Sequence, residues 1–398
     1  MKQISGCTIY NNLYQLKNHT LRRVVKMSNK KNELENVEPE EIEEQTADTG
    51  EEFDFDNAIQ DGFDEGEKDY KRPTILVCGY TGVGKTSLIS KICGNVPEGA
   101  IMDGEPGTKD YVKYENSRIR FWDSRGLEPG DGEQNFIDGT KDFIKEMRED
   151  SNVDNHIHLV WYCVQGPGAR VTDTDLLLMR EVFDINNELG LLTKKDITRP
   201  DQKSAMTDRM LTSGIKKENV IAVSDDDNES LKLVINRSMD ILPEAYQDAF
   251  SASQQLDFEL KKKRAKVIIH TASAAAALAG ATPIPGSDAP ILVVIQGGLI
   301  AKLAILYGIG REAAVMALGP VITQVVGIAA SSSLIKFIPG IGSGIQAVVA
   351  GALTEALGWI AQAYLEMCAK AKLNGEEIPG FDLTKEDISL IIKSLKSK

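Results

Sequence analysis

Residues 79–86 read Gly-Tyr-Thr-Gly-Val-Gly-Lys-Thr, a complete G-x-x-x-x-G-K-[ST] run. The flanking chain restricts what this run can be. Thr74–Cys78 is a short apolar, β-branched stretch that reads as a buried strand, and from Ser87 to Cys93 apolar residues recur at helical spacing. Strand, glycine loop and helix in that order form the setting in which such a run binds phosphate. Backbone N–H groups of the loop and of the helix N-terminus converge on one concavity and favour a polyphosphate there. Gly79, Gly82, Val83 and Gly84 line that concavity, with Gly79 and Gly84 letting the chain pass close to the phosphates. Lys85 reaches the β and γ oxygens, the Thr86 hydroxyl is placed to ligate Mg²⁺, and Ser87 opens the helix behind them. The residues predict a bound nucleoside triphosphate.

At 398 residues the chain has room for two or three domains, each with its own core. Its net charge of −14 is unevenly spread: residues 32–69 hold seventeen Asp/Glu and one Lys, whereas residues 1–31 hold seven Lys/Arg and no acid. The remainder carries an ordinary surface balance, and no basic patch suggests a nucleic-acid partner. Cys7, Cys78, Cys93, Cys163 and Cys368 are scattered without a C-x-x-C pair, as expected of buried free thiols in a reducing cytosol. His156 and His158 open an apolar strand and read as structural rather than metal-binding.

Residues 1–69, basic and then strongly acidic, are expected to be a disordered tail: 32–69 are charged, without periodicity and too poor in aliphatic residues to offset the entropy of ordering. Phe53, Phe55 and Phe63 leave open a short partner-binding motif among the acids. Met27 offers an alternative start that would put residues 1–26 outside the native protein. An α/β rhythm then covers 70–250. Strands are predicted at Thr74–Cys78, Tyr111–Glu115, Ile119–Asp123, His156–Val164 and Val220–Val223. Helices are predicted at Ser87–Cys93, Phe136–Arg148, Asp173–Phe183, Asp201–Leu211 and Glu229–Ile241. Such alternation implies an α/β fold, a mostly parallel sheet covered by helices on both faces.

Behind the loop come four further elements in the order a guanine-nucleotide switch needs. Asp123-Ser-Arg-Gly126 ends a predicted strand, placing the Asp123 carboxylate toward Mg²⁺ and the Gly126 N–H toward the γ-phosphate. Thr108 lies in a loop, Glu105-Pro-Gly-Thr108, able to close over the metal. Thr193-Lys-Lys-Asp196 fits [NT]-K-x-D: Asp196 can accept both the N1–H and the exocyclic amine of guanine, and the Lys194 stem can lie along the purine. Ser224 follows the last strand, where a loop N–H meets guanine O6. These four and the loop assign GTP/GDP and Mg²⁺ as the ligands. Lys85, Thr108, Asp123 and Gly126 are the catalytic candidates, with Thr86, Thr108 and Asp123 around the metal.

On these five motifs residues 72–225 resemble the Era/TrmE-type P-loop GTPases, the 50S ribosome-binding GTPase-like group, and the loop is also similar to that of septins. The resemblance implies GTP hydrolysis. The pattern departs from that family in Asp123-Ser-Arg-Gly126, where Asp-Thr-Pro-Gly is usual, and in Asp225 after Ser224. Leu127 stands where Ras-type enzymes place a water-orienting glutamine, so slow intrinsic hydrolysis is expected. Gly82 replaces the loop asparagine that holds potassium in some relatives, and Arg125 is available to act in trans or to remain a plain surface residue. The run Glu188–Leu192 before Thr193 is expected to be a short and poor strand.

From about residue 264 the composition changes. Between Val267 and Leu365 only six residues are charged, and a repeat appears at an offset of 54, Ile284-Pro-Gly286 against Ile338-Pro-Gly340. Gly297, Leu299 and Leu303 recur as Gly351, Leu353 and Leu357. The pattern predicts an all-α domain over 251–375 made of two helical hairpins, with helices near 265–280, 288–308, 311–335 and 342–372. A tail over 376–398 follows, with a short helix capped at Thr384. The turns Pro-Ile-Pro-Gly-Ser-Asp288 and Phe-Ile-Pro-Gly-Ile-Gly resemble a bacterial domain family of unknown function found behind GTPase domains. Ala313–Ile335 is 23 residues without a charge, long enough to span a bilayer. Lys302 and Glu355 within the helices suit a soluble bundle instead. Membrane association through 265–372 and a soluble bundle both remain open. The expected protein is cytoplasmic, with the cytoplasmic face of a membrane as the alternative, and couples its nucleotide state to the helical domain. A septin-like assembly module dimerising through the nucleotide domain is the competing reading.

Overall fold

The computed structural model describes residues 54–94, 111–124, 133–168, 170–183, 187–280, 288–319 and 343–378. These divide into two compact units, one from Glu67 to Lys261 and one containing residues 54–66 together with the chain from Lys262 onward.

The first unit is built on a six-stranded sheet. Its strands are β1 (Thr74–Gly79), β2 (Tyr111–Glu115), β3 (Arg120–Ser124), β4 (Leu159–Gln165), β5 (Glu188–Thr193) and β6 (Val220–Ala222), in the order β2-β3-β1-β4-β5-β6. Only β2 runs antiparallel to its neighbour; β3, β1, β4, β5 and β6 are parallel. Alternation along β1 sends Ile75 and Val77 to one face and Leu76 and Cys78 to the other. Ile75 and Val77 pack with Leu88 and Ile92 of α2 (Lys85–Cys93) and Val234 and Ile235 of α6 (Asn228–Ile241). Leu76 and Cys78 pack with Phe143 of α3 (Glu133–Glu149) and Met206 and Met210 of α5 (Pro200–Leu211). This is the α/β sheet with flanking helices that the sequence alternation predicts. Between them lies α4 (Asp173–Leu177), which runs on through a π turn, Leu178–Val182. After α6 comes α7 (Glu244–Ser253).

The run 188–192, expected to be a poor strand, is instead part of a fully buried one. β5 pairs on both sides, with β4 and with β6, and ladder pairing overrides its weak composition. Gly190 has no room for a larger residue, since a Cβ there would lie 2.7 Å from Met210 Cε.

The second unit is all-helical: α8 (Phe258–Gly280) leads into it, followed by α9 (Asp288–Tyr307), a helical stretch over 311–319, and α10 (Ser343–Asn374). It also contains most of α1 (Phe55–Asp69). That helix corrects the expectation of disorder over 1–69 for residues 55–69. Ala58, Ile59 and Phe63 recur at helical spacing and are buried, a signal masked in the sequence by the surrounding acids. The rest of the predicted 311–335 helix, both Pro-Gly turns and the Thr384 cap lie outside the described residues. The repeat is visible in packing. Gly297 meets Ala58, while its counterpart Gly351 meets Ala277 and the Ser273 carbonyl, so both mark a close helix–helix approach. Polar residues of α9 and α10 are bonded inside the unit: Gln296 of α9 donates to Thr354 of α10 at 3.1 Å, and Gln362 of α10 to Tyr307 and Glu366, each at 2.9 Å.

Candidate nucleotide site

β1 ends at Gly79, whose φ is 141°, and a Cβ there would sit 2.2 Å from the Cys163 carbonyl oxygen of β4. Only glycine lets the chain leave the strand at this point. Gly82 and Gly84 also take left-handed conformations, at φ 77° and 102°, which closes the loop back onto α2. Gly84 precedes α2 without any side-chain cap, so the first-turn N–H groups of that helix face the loop. Lys85 is buried, and its Nζ donates to the carbonyls of Gly79 at 3.0 Å and Tyr80 at 3.1 Å, which fixes the ammonium against the loop.

Thr86 Oγ1 donates to Asp123 Oδ2 at 2.6 Å, joining α2 to the end of β3. The other oxygen, Asp123 Oδ1, is buried with no hydrogen-bond partner among the described residues. Burial raises the Asp123 pKa, opposed by the Thr86 hydrogen bond and the Lys85 charge. An orphaned carboxylate oxygen beside a hydroxyl fits a hard cation of the Mg²⁺ kind, which takes one or two protein oxygens and completes its shell with water and phosphate. Among the described residues no cluster of three His, Cys, Asp or Glu offers an all-protein metal site.

The second group of predicted residues is tied to the loop. Thr193, the last residue of β5, donates from Oγ1 to the Val83 carbonyl at 2.6 Å. Lys194 is left-handed at φ 56°, and its Nζ donates to the Gly82 carbonyl at 2.9 Å and to Gln165 Oε1 at 3.2 Å. Asp196 is exposed, and its Oδ1 accepts from Ser224 Oγ at 2.7 Å. Lys85, Thr86 and Asp123 thus share one cluster, while Thr193, Lys194, Asp196 and Ser224 form a second, joined through Val83 and Gly82. Thr108 and Gly126, with Arg125 and Leu127, lie outside the described residues.

One set of contacts was not foreseen. Ser87 donates to Asp225, Lys91 pairs with Asp226 at 3.9 Å, and Lys195 pairs with Asp227. Asp225-Asp-Asp227 therefore bridges α2 and the Thr193–Asp196 segment. Three consecutive acids directly after a predicted site residue are the signal that marks such a loop.

A glycine loop closed by left-handed residues at a parallel strand's C-terminal end, with a buried lysine and a hydroxyl–carboxylate pair, defines a P-loop nucleotide-binding domain. Residues 74–195 match the model of the 50S ribosome-binding GTPase family. The match ends directly before Asp196. Similar solved structures include Toc33 from Arabidopsis thaliana with Mg²⁺ and GMPPNP. It is 18% identical, with 44% of this chain and 83% of that chain covered and a TM-score of 0.29. Toc33 with GDP and Mg²⁺ is 17% identical, with 52% and 100% covered at a TM-score of 0.31. The GDP-bound G-domain of S. thermophilus FeoB, as a mutant, is 12% identical, with 81% and 98% covered at 0.28. No curated protein matches the chain.

Proposed function

We propose that this protein is a slow GTPase switch whose nucleotide state governs its helical unit at the cytoplasmic face of a membrane. The observation that carries the guanine reading is the hydrogen bond from Thr193 to the Val83 carbonyl, which ties the segment bearing Asp196 to the phosphate loop. Asp196, oriented by the Ser224 hydroxyl, then accepts from guanine N1–H and the 2-amino group, and Lys194 packs its stem along the base. Lys85 neutralises the β and γ oxygens, and the first-turn N–H groups of α2 hold the phosphates. Thr86 and Asp123 would hold Mg²⁺, which supplies charge stabilisation at the transferred phosphoryl group. Leucine at position 127 cannot orient water, which supports slow turnover. The membrane part rests on Pro290–Tyr307, the one helix among the described residues long and apolar enough to cross a bilayer, although 67% of it is buried within the structure.

Calorimetry with GTPγS, GDP and ATP tests the base. Preference for ATP would overturn the guanine assignment. Turnover followed over a hundredfold range of protein concentration separates a switch working alone from assembly through the GTPase domain, which would make specific activity rise. Vesicle flotation in both nucleotide states tests the membrane, and absence of binding in either would remove that part.

A further inference from the structure

The most apolar stretch of the described chain is covered by an acidic helix. Ala58, Ile59, Gly62, Phe63 and Gly66 share one buried face of α1, while Asp56, Asp61, Asp64 and Glu65 stand exposed. The buried face meets α9 at backbone distance. A Cβ on Gly62 would lie 2.8 Å from Gly298 Cα and 3.0 Å from Ala301 Cβ, and one on Gly66 would lie 2.9 Å from Ile305 Cδ1. From the other side, a Cβ on Gly297 would lie 2.6 Å from the Ala58 carbonyl carbon. At the edge, Arg311 pairs with Asp64 and stands 5.6 Å from the Phe63 ring centroid.

We infer that the Gly297, Gly298, Ala301 and Ile305 face of α9 is a lipid-binding surface and that α1 is its removable cover. This inference rests on the membrane reading above. The covered face belongs to Pro290–Tyr307, whose length and composition suit a bilayer. Its small residues suit a helix that approaches by shape alone, and shape fit between apolar faces is lost without any buried charge left behind. The ion pair at the edge is exposed on both sides and holds weakly. The outward face of the cover carries four carboxylates, those of Asp56, Asp61, Asp64 and Glu65. An anionic lipid surface repels that charge, so the covered unit stays off the membrane and the uncovered one offers an apolar face to it.

The test is flotation of the full chain on phosphatidylcholine vesicles containing phosphatidylglycerol, with hydrogen exchange over residues 55–66 read in parallel. Gly62→Leu cannot keep its contact with the Gly298 backbone, so α1 should exchange fast and the vesicle-bound fraction should rise about fivefold or more in the GDP and GTPγS states alike. Arg311→Glu leaves the glycine contacts between α1 and α9 in place while removing the Asp64 pair and the Phe63 ring contact, and should raise binding about twofold. Asp64→Lys added to it restores the ion pair in reverse and should bring binding back toward the wild-type level. Released α1 with unchanged flotation, or a new soluble dimer in its place, overturns the cover. Wild type floating as strongly as Gly62→Leu overturns the cover and leaves the membrane reading standing. No flotation by any variant in either state, with α1 released, overturns both.

Discussion

The Thr193 hydroxyl reaches the Val83 carbonyl at 2.6 Å across 110 positions of sequence, so the end of β5 holds the crown of the phosphate loop. The next residue, Lys194, accepts a left-handed backbone that lysine rarely adopts, a strain of about 1–3 kcal/mol offset by its bonds to Gly82 and Gln165. The turn this produces leads directly to Asp196. Base reading and phosphate binding are therefore parts of one hydrogen-bonded assembly.

Thr193→Val keeps the shape of the side chain and removes the donor. The Val83 carbonyl loses a buried partner worth about 1 kcal/mol, so GTP binding should weaken about fivefold, whereas Thr193→Ser should bind nearly as wild type. Calorimetry on the two variants checks this, and equal affinities would show that the contact is incidental.

Lys85→Ala should abolish triphosphate binding with the fold intact. Among the described residues the ammonium donates to the loop carbonyls of Gly79 and Tyr80, and it is not part of the sheet's hydrophobic core. GTPγS titration with circular dichroism as the fold control decides it: near-wild-type affinity would refute the phosphate-loop assignment.

Asp196→Asn should lose GTP and gain xanthosine triphosphate, because the amide exchanges one acceptor for a donor facing the 2-oxo group. A competition assay with the two nucleotides reads the switch. A variant that still prefers GTP would move base recognition away from Thr193–Asp196.

Glu188 is buried at the start of β5, and neither carboxyl oxygen has a partner among the described residues. Burial pushes its pKa up to about 8 from the ordinary 4.5. A raised carboxyl pKa makes its contribution to stability full below about 4.5 and lost as pH rises through about 8. His158, lowered to about 4, and Lys261, lowered to about 7, both by burial, slope the opposite way and mask this in the wild-type curve. The difference isolates it. Glu188→Gln should gain stability over wild type progressively between pH 5 and pH 8, at up to about 1.4 kcal/mol per pH unit. Urea unfolding of both proteins at several pH values measures that gap, and a constant gap would mean that Glu188 does not titrate in this range.

Much of the phosphate site was legible because its chemistry is local. Gly79, Gly84, Lys85 and Thr86 act through backbone conformation and a helix N-terminus, which a contiguous run specifies, and the strands and helices on either side announce themselves by period. The sequence alone determined a P-loop domain followed by an apolar helical one, and it marked Gly297 and Gly351 as equivalent. Tertiary structure decided what depends on partners distant in the chain. Glu188–Thr193 is a poor strand by composition and a buried one by pairing on both edges. Asp225-Asp-Asp227 looked like a departure from a motif until Ser87, Lys91 and Lys195 came to meet it. Residues 55–69 read as part of an acidic tail, because local charge outweighs three apolar side chains and two glycines in any window. Those five form a helix face once Gly297 and Gly298, more than 230 positions away, supply a surface on which Gly62 can lie. Propensity and charge act along the chain, whereas burial acts between segments, and only burial could order that helix.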